Sequence, residues 1–520
     1  MQQNASLLKK IEELNDDSKI LREQIEYLTK KLFGRKSEKT EVLTGQIVID
    51  GVLGNSQFDE AEADPFIEEP TIEKIKRTRK GYRREDALKN LPEEDLINTL
   101  PDEEKVCLID NDQLKPVGKK YIRTEIKYTP ATMKLVHIYN ETWECRSCRK
   151  AGRDYLVQAK SNQPLLQHSM ASPSSVAWAM YQKFVNHMPL YRQSKDWQNL
   201  GLEIQRSTLS NWITKTSEEW LSKVVKALHE KLLKEDFIHA DETSFQVLKE
   251  PGRKNTTKSF MWIYATGIHN ARPIRIFNYR SGRSGSYAAD FLEGYQGSYL
   301  HSDAYQGYGK IQGITRVLCW SHVRRYYTDA LPRDIKKPEA TLPKEGIAYC
   351  NKIFKIEESL SELSADERKI QRLIQVKPVL EAFWVWVNTN IGKVLPKSKI
   401  GKALQYSLNQ KNGLMTFLED GNCEISNNLA ENSIRPFTVG RRNWLFSGSP
   451  KGATASAVVY SLVETAKANG LNPYKYLEYL LTNLSKTDSQ IDMDNMMPWD
   501  STIQELCSHK IVKPLKNGIQ

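Results

Sequence analysis

Asp236-Phe-Ile-His-Ala-Asp241-Glu-Thr-Ser-Phe-Gln-Val-Leu248 is an apolar, strand-prone run with a carboxylate near its centre. Strand propensity disfavours an acid there, and burying its charge is costly, so Asp241 predicts something nearby that compensates it. Residues 260–266 (Phe-Met-Trp-Ile-Tyr-Ala-Thr) and 273–279 (Pro-Ile-Arg-Ile-Phe-Asn-Tyr) read as the next two strands. A Gly/Ser-rich turn and a short helix over 287–292 follow. Gly297-Ser-Tyr-Leu-His-Ser-Asp303 reads as a strand ending in a second acid, and Thr315-Arg-Val-Leu-Cys-Trp-Ser-His322 as a fifth strand. Three strands in a meander, then helix, strand, connection and strand, predict an α/β layout. Residues 340–420 read as helical and polar, and beyond them Asn427-Asn428-Leu-Ala-Glu431 opens a short helix carrying a third acid. Three carboxylates at such ordered places suit a pair of divalent cations and in-line phosphodiester chemistry.

Around this block the chain is long and basic. At 520 residues it has room for about three to four domains. Its formal net charge of +11 favours a polyanionic partner, nucleic acid first and an anionic membrane surface second. A hydrophobic fraction of 39% with 11 Trp, 23 Tyr and 14 Phe excludes a disordered or collagen-like chain. Seven cysteines, an odd number, argue against a secreted disulfide scaffold. The start, MQQNASLLKKIEELNDD, has no apolar signal core, and no run approaches the ~18 apolar residues of a membrane span. The expectation is a soluble, cytoplasmic, multidomain protein with no membrane partner.

The upstream segments predict recognition and assembly. Leu7, Leu14, Leu21 and Leu28 recur every seven residues, with Ile11, Ser18, Ile25 and Leu32 four residues after each. Residues 1–33 are expected to form a leucine zipper-like coiled coil and hence a homodimer or higher assembly; the competing reading is one amphipathic helix packed on its own chain. Residues 34–99 read as a linker with a basic arm, in which Lys76, Arg77, Arg79, Arg83 and Arg84 would hold DNA phosphates. Residues 100–155 read as a zinc-finger-like domain. Cys145 and Cys148 have ligand spacing, Cys107 offers a third thiolate, and Asp110 stands where a fourth ligand would fall. Both a Cys3Asp zinc site and a metal-free knuckle are open. Residues 156–230 read as a helical region with helix-turn-helix grammar or a plain αα-hairpin: a helix ending at Leu200, a turn at Gly201, and a second helix capped by Ser207. Leu209, Trp212 and Ile213 would face inward, and Arg206, Ser210, Asn211 and Lys215 outward toward DNA. The catalytic block is expected over 231–450, with a helical insertion at about 335–420, and a C-terminal helical domain over 451–520.

Taken in order, these pieces resemble the transposases of the insertion-sequence-66 family. The resemblance rests on Leu32-Phe-Gly-Arg-Lys-Ser-Glu38, Pro189-Leu-Tyr-Arg-Gln193, Arg206-Ser-Thr-Leu209, His239-Ala-Asp241-Glu242-Thr243 and Ser302-Asp303-Ala-Tyr305. It continues through Cys319-Trp320-Ser-His322-Val-Arg324-Arg325, Asn428-Leu-Ala-Glu431-Asn-Ser-Ile-Arg435-Pro436 and Gly440-Arg-Arg-Asn-Trp-Leu-Phe-Ser-Gly448. Asn472-Pro-Tyr-Lys-Tyr476 and Met497-Pro498-Trp499 complete it. The family implies a ribonuclease-H-like fold whose DDE triad maps onto Asp241, Asp303 and Glu431, spaced by 62 and 128 residues around a helical insertion. It implies two Mg²⁺ ions, replaceable by Mn²⁺, and a structural Zn²⁺ in the cysteine module, where Asp110 departs from the family's fourth cysteine. It also implies nicking of element ends and strand transfer into target DNA. His322 would touch the scissile phosphate, orient a carboxylate, or serve only structure. Arg324, Arg325, Arg435, Arg441 and Arg442 would meet DNA, Arg435 alternatively pairing with Glu431. Double-stranded DNA (terminal inverted repeats and target), small accessory proteins of the same element, and a nucleoid-associated location follow from the same resemblance. Glu424→Gln is expected to remain active, in contrast to Glu431→Gln. The competing functional readings are another ribonuclease-H-like nuclease and a decayed or domesticated DNA-binding regulator without catalysis.

Overall fold

An eleven-residue strand, β1 (Phe237–Val247), runs through the middle of a six-stranded sheet. Ile238, Ala240, Phe245 and Val247 bury along it, and this apolar content lets it tolerate the central acids. β2 (Lys258–Thr266) pairs antiparallel with β1, placing Asp241 opposite Ile263, and β3 (Arg275–Arg280) pairs antiparallel with β2. β4 (Tyr299–Ser302) lies on the other side of β1 in parallel, with His239 opposite His301, and β5 (Thr315–Leu318) is parallel to β4. The order is therefore β3-β2-β1-β4-β5, with β6 (Phe446–Ser447) adding to the far end of β1.

This computed structural model describes residues 105, 132–145, 147, 150–152, 156–159, 161–332, 341–486 and 492–508. The zipper of residues 1–33, the basic arm with Lys76, Arg77, Arg79, Arg83 and Arg84, and the ligands Cys107, Asp110 and Cys148 lie outside the described residues. The chain divides into two compact units. One, within residues 54–161 with 197–202, contributes a two-stranded antiparallel ladder, Thr142–Glu144 with Leu156–Gln158, whose side chains are exposed. The other, built from 162–196 and 203–507, holds the six-stranded sheet.

Helix α1 (Leu190–Asn199) and α2 (Arg206–Thr216) flank a turn in which Gly201 adopts φ +93°, a conformation that costs glycine little. Ser194 Oγ donates to Ile204 O at 2.7 Å and ties α1 to the segment entering α2. Leu209, Trp212 and Ile213 are buried while Arg206, Ser210, Asn211 and Lys215 are exposed, as the periodicity predicted. Ser207 is not the cap. Gln205 stands in that position in extended conformation, and Ser207 Oγ bonds the Gln205 side chain instead.

The fifth strand is shorter than expected. It stops at Leu318, and Trp320 begins helix α3 (Trp320–Asp329). The aromatic and β-branched content of 315–323 imitates a longer strand, but Trp320 is an anchor: it is fully buried and its Nε1 donates to Leu414 O at 2.8 Å. Val317, Leu318, Trp320, Val323 and Tyr327 join one core with Phe383, Trp384, Leu404 and Leu414 from the helices between residues 342 and 415. Burying such aromatic area fastens these helices to the sheet edge.

Helix α4 (Asn428–Trp444) carries Glu431 and is longer than its sequence predicts, because Pro436 sits inside it. Proline removes one ladder bond, and the carbonyl deprived of it belongs to Asn432, which is exposed, so water can satisfy it. Helix α5 (Pro450–Ala468) covers the edge strand β3. Thr465 Oγ1 and Ser461 Oγ accept from the backbone N–H groups of Arg275 (3.0 Å) and Phe277 (2.8 Å), satisfying an edge that would otherwise invite another strand. Among the described residues, no helix is long and apolar enough to cross a membrane.

Candidate active site

Strand geometry aligns two of the acids. Residues two apart on a strand share a face, so Asp241 lies beyond His239 on β1, and Asp303, just past the end of β4, lies beyond His301. The parallel pairing sets His239 opposite His301, and the acids follow at the same step along the chain. Asp241 Oδ1 accepts the Glu242 N–H at 2.8 Å, and Asp303 Oδ1 accepts the Tyr305 N–H at 2.9 Å. Glu431 arrives in the first turn of α4, which Arg441 fastens to β1: its Nη1 donates to Thr243 Oγ1 at 2.8 Å and to Ser244 O. Burial, and then the charges of Glu242, Asp303 and Glu431, push the Asp241 carboxyl well above the usual range. Asp303 and Glu431, the other two acids singled out in the sequence, thus lie near enough to act on Asp241 electrostatically.

A fourth carboxylate belongs to this cluster. Glu242 is buried, and Arg283 Nε pairs with its Oε1 at 2.6 Å. The same guanidinium reaches Asp303 Oδ2 at 3.8 Å and lies 4.1 Å over the Tyr305 ring. Tyr308 donates its hydroxyl to Glu242 Oε2 at 2.5 Å. Burial and then Asp303 raise the Glu242 carboxyl, with Arg283 opposing them. Sequence reasoning missed Arg283 and Tyr308. The available signal was two adjacent acids inside one strand, of which one must find a cation.

Behind the acids lies a second polar cluster. The His239 and His301 rings stack at 4.1 Å. Glu424 Oε1 lies 3.1 Å from His239 Nε2 and accepts the Ile268 N–H at 2.9 Å, while the Glu424 N–H donates to His301 Nε2 at 2.8 Å. Asn427 Oδ1 is 3.0 Å from His239 Nδ1, and its Nδ2 donates to Ala240 O at 2.9 Å. Burial alone would raise the Glu424 carboxyl, but His239 and then His301 and the Ile268 N–H outweigh it and hold it at about 2. Glu424 is therefore no neutral neighbour. It clips the segment entering α4 to both strands that carry the aspartates.

His322 sits in the first turn of α3, not at a strand end, with Nδ1 3.8 Å from Glu431 Oε1. Burial would lower its imidazole, but the Cys319 thiol and then Glu431 outweigh burial and hold it at about 9. The arginines sort by partner. Arg325 Nη2 lies 3.5 Å from Glu431 Oε2. Arg324 Nε is spent on Asn351 Oδ1 at 2.8 Å, and Arg441 on β1. Arg435 and Arg442 are exposed on α4, as Arg206 and Asn211 are on α2. Of the four predicted zinc ligands, only Cys145 falls among the described residues, and it is half-buried.

A sheet whose central and neighbouring strands present acids to a helix-borne glutamate defines a class of acid-clustered α/β protein. Comparison with known families narrows it. Residues 168–455 match the family model described as Transposase IS66 family, 461–499 the IS66 C-terminal element, and 20–96 the model described as Transposase C of IS166 homeodomain. The chain belongs to the IS66 transposase family. It is similar to three proteins of Sinorhizobium fredii (strain NBRC 101917 / NGR234), each named only as uncharacterized. It is 28% identical to y4qI over 67% of this chain and 66% of that one. It is 26% identical to y4hP over 75% and 72%, and 27% identical to y4jD over 71% and 73%.

Proposed function

We propose that this chain is a DNA transposase of the DDE type on a ribonuclease-H-like fold, which binds the ends of its element, cleaves them and transfers the strand into target DNA. The observation that carries this reading is the placement of Asp241 and Asp303 at the same step of two adjacent parallel strands, where Asp303 and Glu431 add to burial and Glu242 in raising the Asp241 carboxyl. Three repelling carboxylates need neutralising, and Glu431 Oε1 is buried without a hydrogen-bond partner. The donor set, all carboxylate oxygen, fits hard divalent cations such as Mg²⁺, or Mn²⁺ in its place. Bound by these three residues, such ions would supply Lewis-acid activation of water or a DNA 3′-hydroxyl and neutralise the leaving oxygen. The strand order β3-β2-β1-β4-β5, with only β2 reversed against its neighbours, supports the fold assignment.

In this reading the chain's own groups divide the work. Arg283 pairs with Glu242 and opposes the repulsion that Glu242 adds to the cluster. Arg325 bonds Glu431 Oε2, and His322 stands 3.8 Å from its Oε1. Exposed Arg206, Asn211, Lys215, Arg435 and Arg442 take DNA phosphates and base edges. The cysteine module is a structural zinc site, and the N-terminal heptads assemble the chain for pairing two DNA ends, with accessory proteins of the element where present. A nicking assay on DNA carrying the element's inverted-repeat ends tests the reading. Metal-dependent nicks at the element boundary are expected. Specific binding without any cleavage in Mg²⁺ or Mn²⁺ would identify a regulator instead.

A further inference from the structure

We propose that Cys319, His322 and Glu431 form a separate binding site for a borderline-soft divalent cation, Zn²⁺ foremost, and that filling it draws Glu431 away from the aspartates. Cys319 immediately precedes α3 and His322 lies in its first turn, three residues on, so both side chains fall on one side of the helix start. Glu431 comes from the first turn of α4. One ligand atom from each, thiol sulfur, imidazole nitrogen and carboxylate oxygen, lies within 4.8 Å of the other two. Tetrahedral zinc with bonds of about 2.0–2.3 Å places its ligands roughly 3.3–3.8 Å apart, so small side-chain rotations close the site.

Two features point to a ligand and not to packing. His322 Nδ1 and Glu431 Oε1 are both buried without hydrogen-bond partners, and their 3.8 Å separation is too long for a bond between them. Buried polar atoms left in this way are uncommon, and two of them facing one thiol form an incomplete coordination set. The Asn427 N–H donates to Cys319 Sγ at 3.1 Å, an outer contact of the kind that steadies a metal-bound thiolate. Capture of the metal releases the thiol proton to solvent. His322 and Glu431 keep side-chain exposures of 20% and 26%, which gives a cation a way in and leaves a fourth position for water. Mg²⁺ has no use for sulfur and little for imidazole, so hard and soft cations would meet at one shared carboxylate. The site stands on this geometry alone. Its consequence for cleavage rests on the role proposed for Glu431.

Cobalt(II) titration of the full-length protein, followed by thiolate-to-cobalt charge-transfer absorption, tests the site. Wild type is expected to bind one more equivalent of thiolate-ligated Co²⁺ than Cys319→Ala, and Zn²⁺ is expected to displace it. His322→Gln, at a less buried position, should weaken that equivalent at least tenfold and carries the test should Cys319→Ala not fold. Equal stoichiometry and equal absorption in wild type, Cys319→Ala and His322→Gln would overturn the site. In the nicking assay, the ratio of rates without and with Zn²⁺ should fall at least tenfold in Cys319→Ala. An unchanged ratio beside a lost cobalt equivalent would overturn the competition for Glu431. A protein that never nicks would undo the transposase reading and leave the cobalt result standing.

Discussion

Glu424 Oε1 lies 3.1 Å from Nε2 of His239, two residues ahead of Asp241 on the same face of β1. Through its own N–H the same residue bonds His301, two residues ahead of Asp303. One glutamate thus joins both aspartate-bearing strands to the segment that leads into α4. Glu424→Gln, expected to leave cleavage active, should therefore still be felt in stability. Glu424→Gln keeps the size but removes the charge facing His239, and should cost about 2–3 kcal/mol of stability. Urea denaturation of the purified protein measures it; a loss below about 0.5 kcal/mol, the scale of an ordinary surface substitution, would contradict the clip.

The same contact makes a pH prediction. In the fold Glu424 is held at about 2, below the ~4.3 of an unperturbed glutamate. A carboxyl depressed by folding contributes stability that is present above its unfolded value and lost as pH falls toward the folded one. The difference in Tm between wild type and Glu424→Gln should therefore be full above about pH 5 and shrink steadily toward pH 2. A difference independent of pH across that window would show that charge is not what the carboxylate contributes.

Arg283 faces a Glu242 side chain that is only 1% exposed. Arg283→Met should strand that carboxylate and destabilise the protein by about 3–5 kcal/mol. Adding Glu242→Gln should return much of the loss, because a neutral amide needs no cation. Thermal or chemical denaturation of the two single variants and the double variant gives the coupling directly. Additive effects would separate the two groups.

Arg324 and Arg206 should differ in kind. Arg324→Ala removes the bond to Asn351 and should cost about 1 kcal/mol of stability without changing the salt dependence of DNA binding. Arg206→Ala, on the exposed face of α2, should leave stability unchanged and lower the slope of log K against log salt by about 1. Binding isotherms at several salt concentrations distinguish them. Identical slopes for wild type and Arg206→Ala would remove Arg206 from the DNA surface.

Much of this was legible in the sequence, for physical reasons that differ by residue. The strands were readable because Ile238, Phe245, Val247 and their counterparts are β-prone, and the α2 faces because Leu209, Trp212 and Ile213 recur at helical spacing. Asp241 was readable because a carboxylate in a strand centre is costly, whereas Asp303, at a strand end, and Glu431, on a helix, were joined to it by the family resemblance. Composition could not show where β5 ends, since Trp320 suits a strand as well as a helix anchor, and what decides it is the distant Leu414 carbonyl. Nor could it show that α4 runs through Pro436, since proline ordinarily ends a helix. Arg283 and Glu424 were hidden for the same reason: their partners, Glu242 and His239, lie 41 and 185 residues away, and only the fold brings them together.

In the proposed function Asp241, Asp303 and Glu431 act together on DNA, with Glu431 reaching the strands from a separate helix. The most direct measurement is Mg²⁺-dependent cleavage of inverted-repeat DNA by Asp241→Asn, Asp303→Asn and Glu431→Gln, with DNA binding followed in parallel. Each variant should bind the ends as wild type does and lose cleavage by several orders of magnitude, the scale of a lost metal contact in the transition state. Cleavage at the wild-type rate by Glu431→Gln would contradict the account.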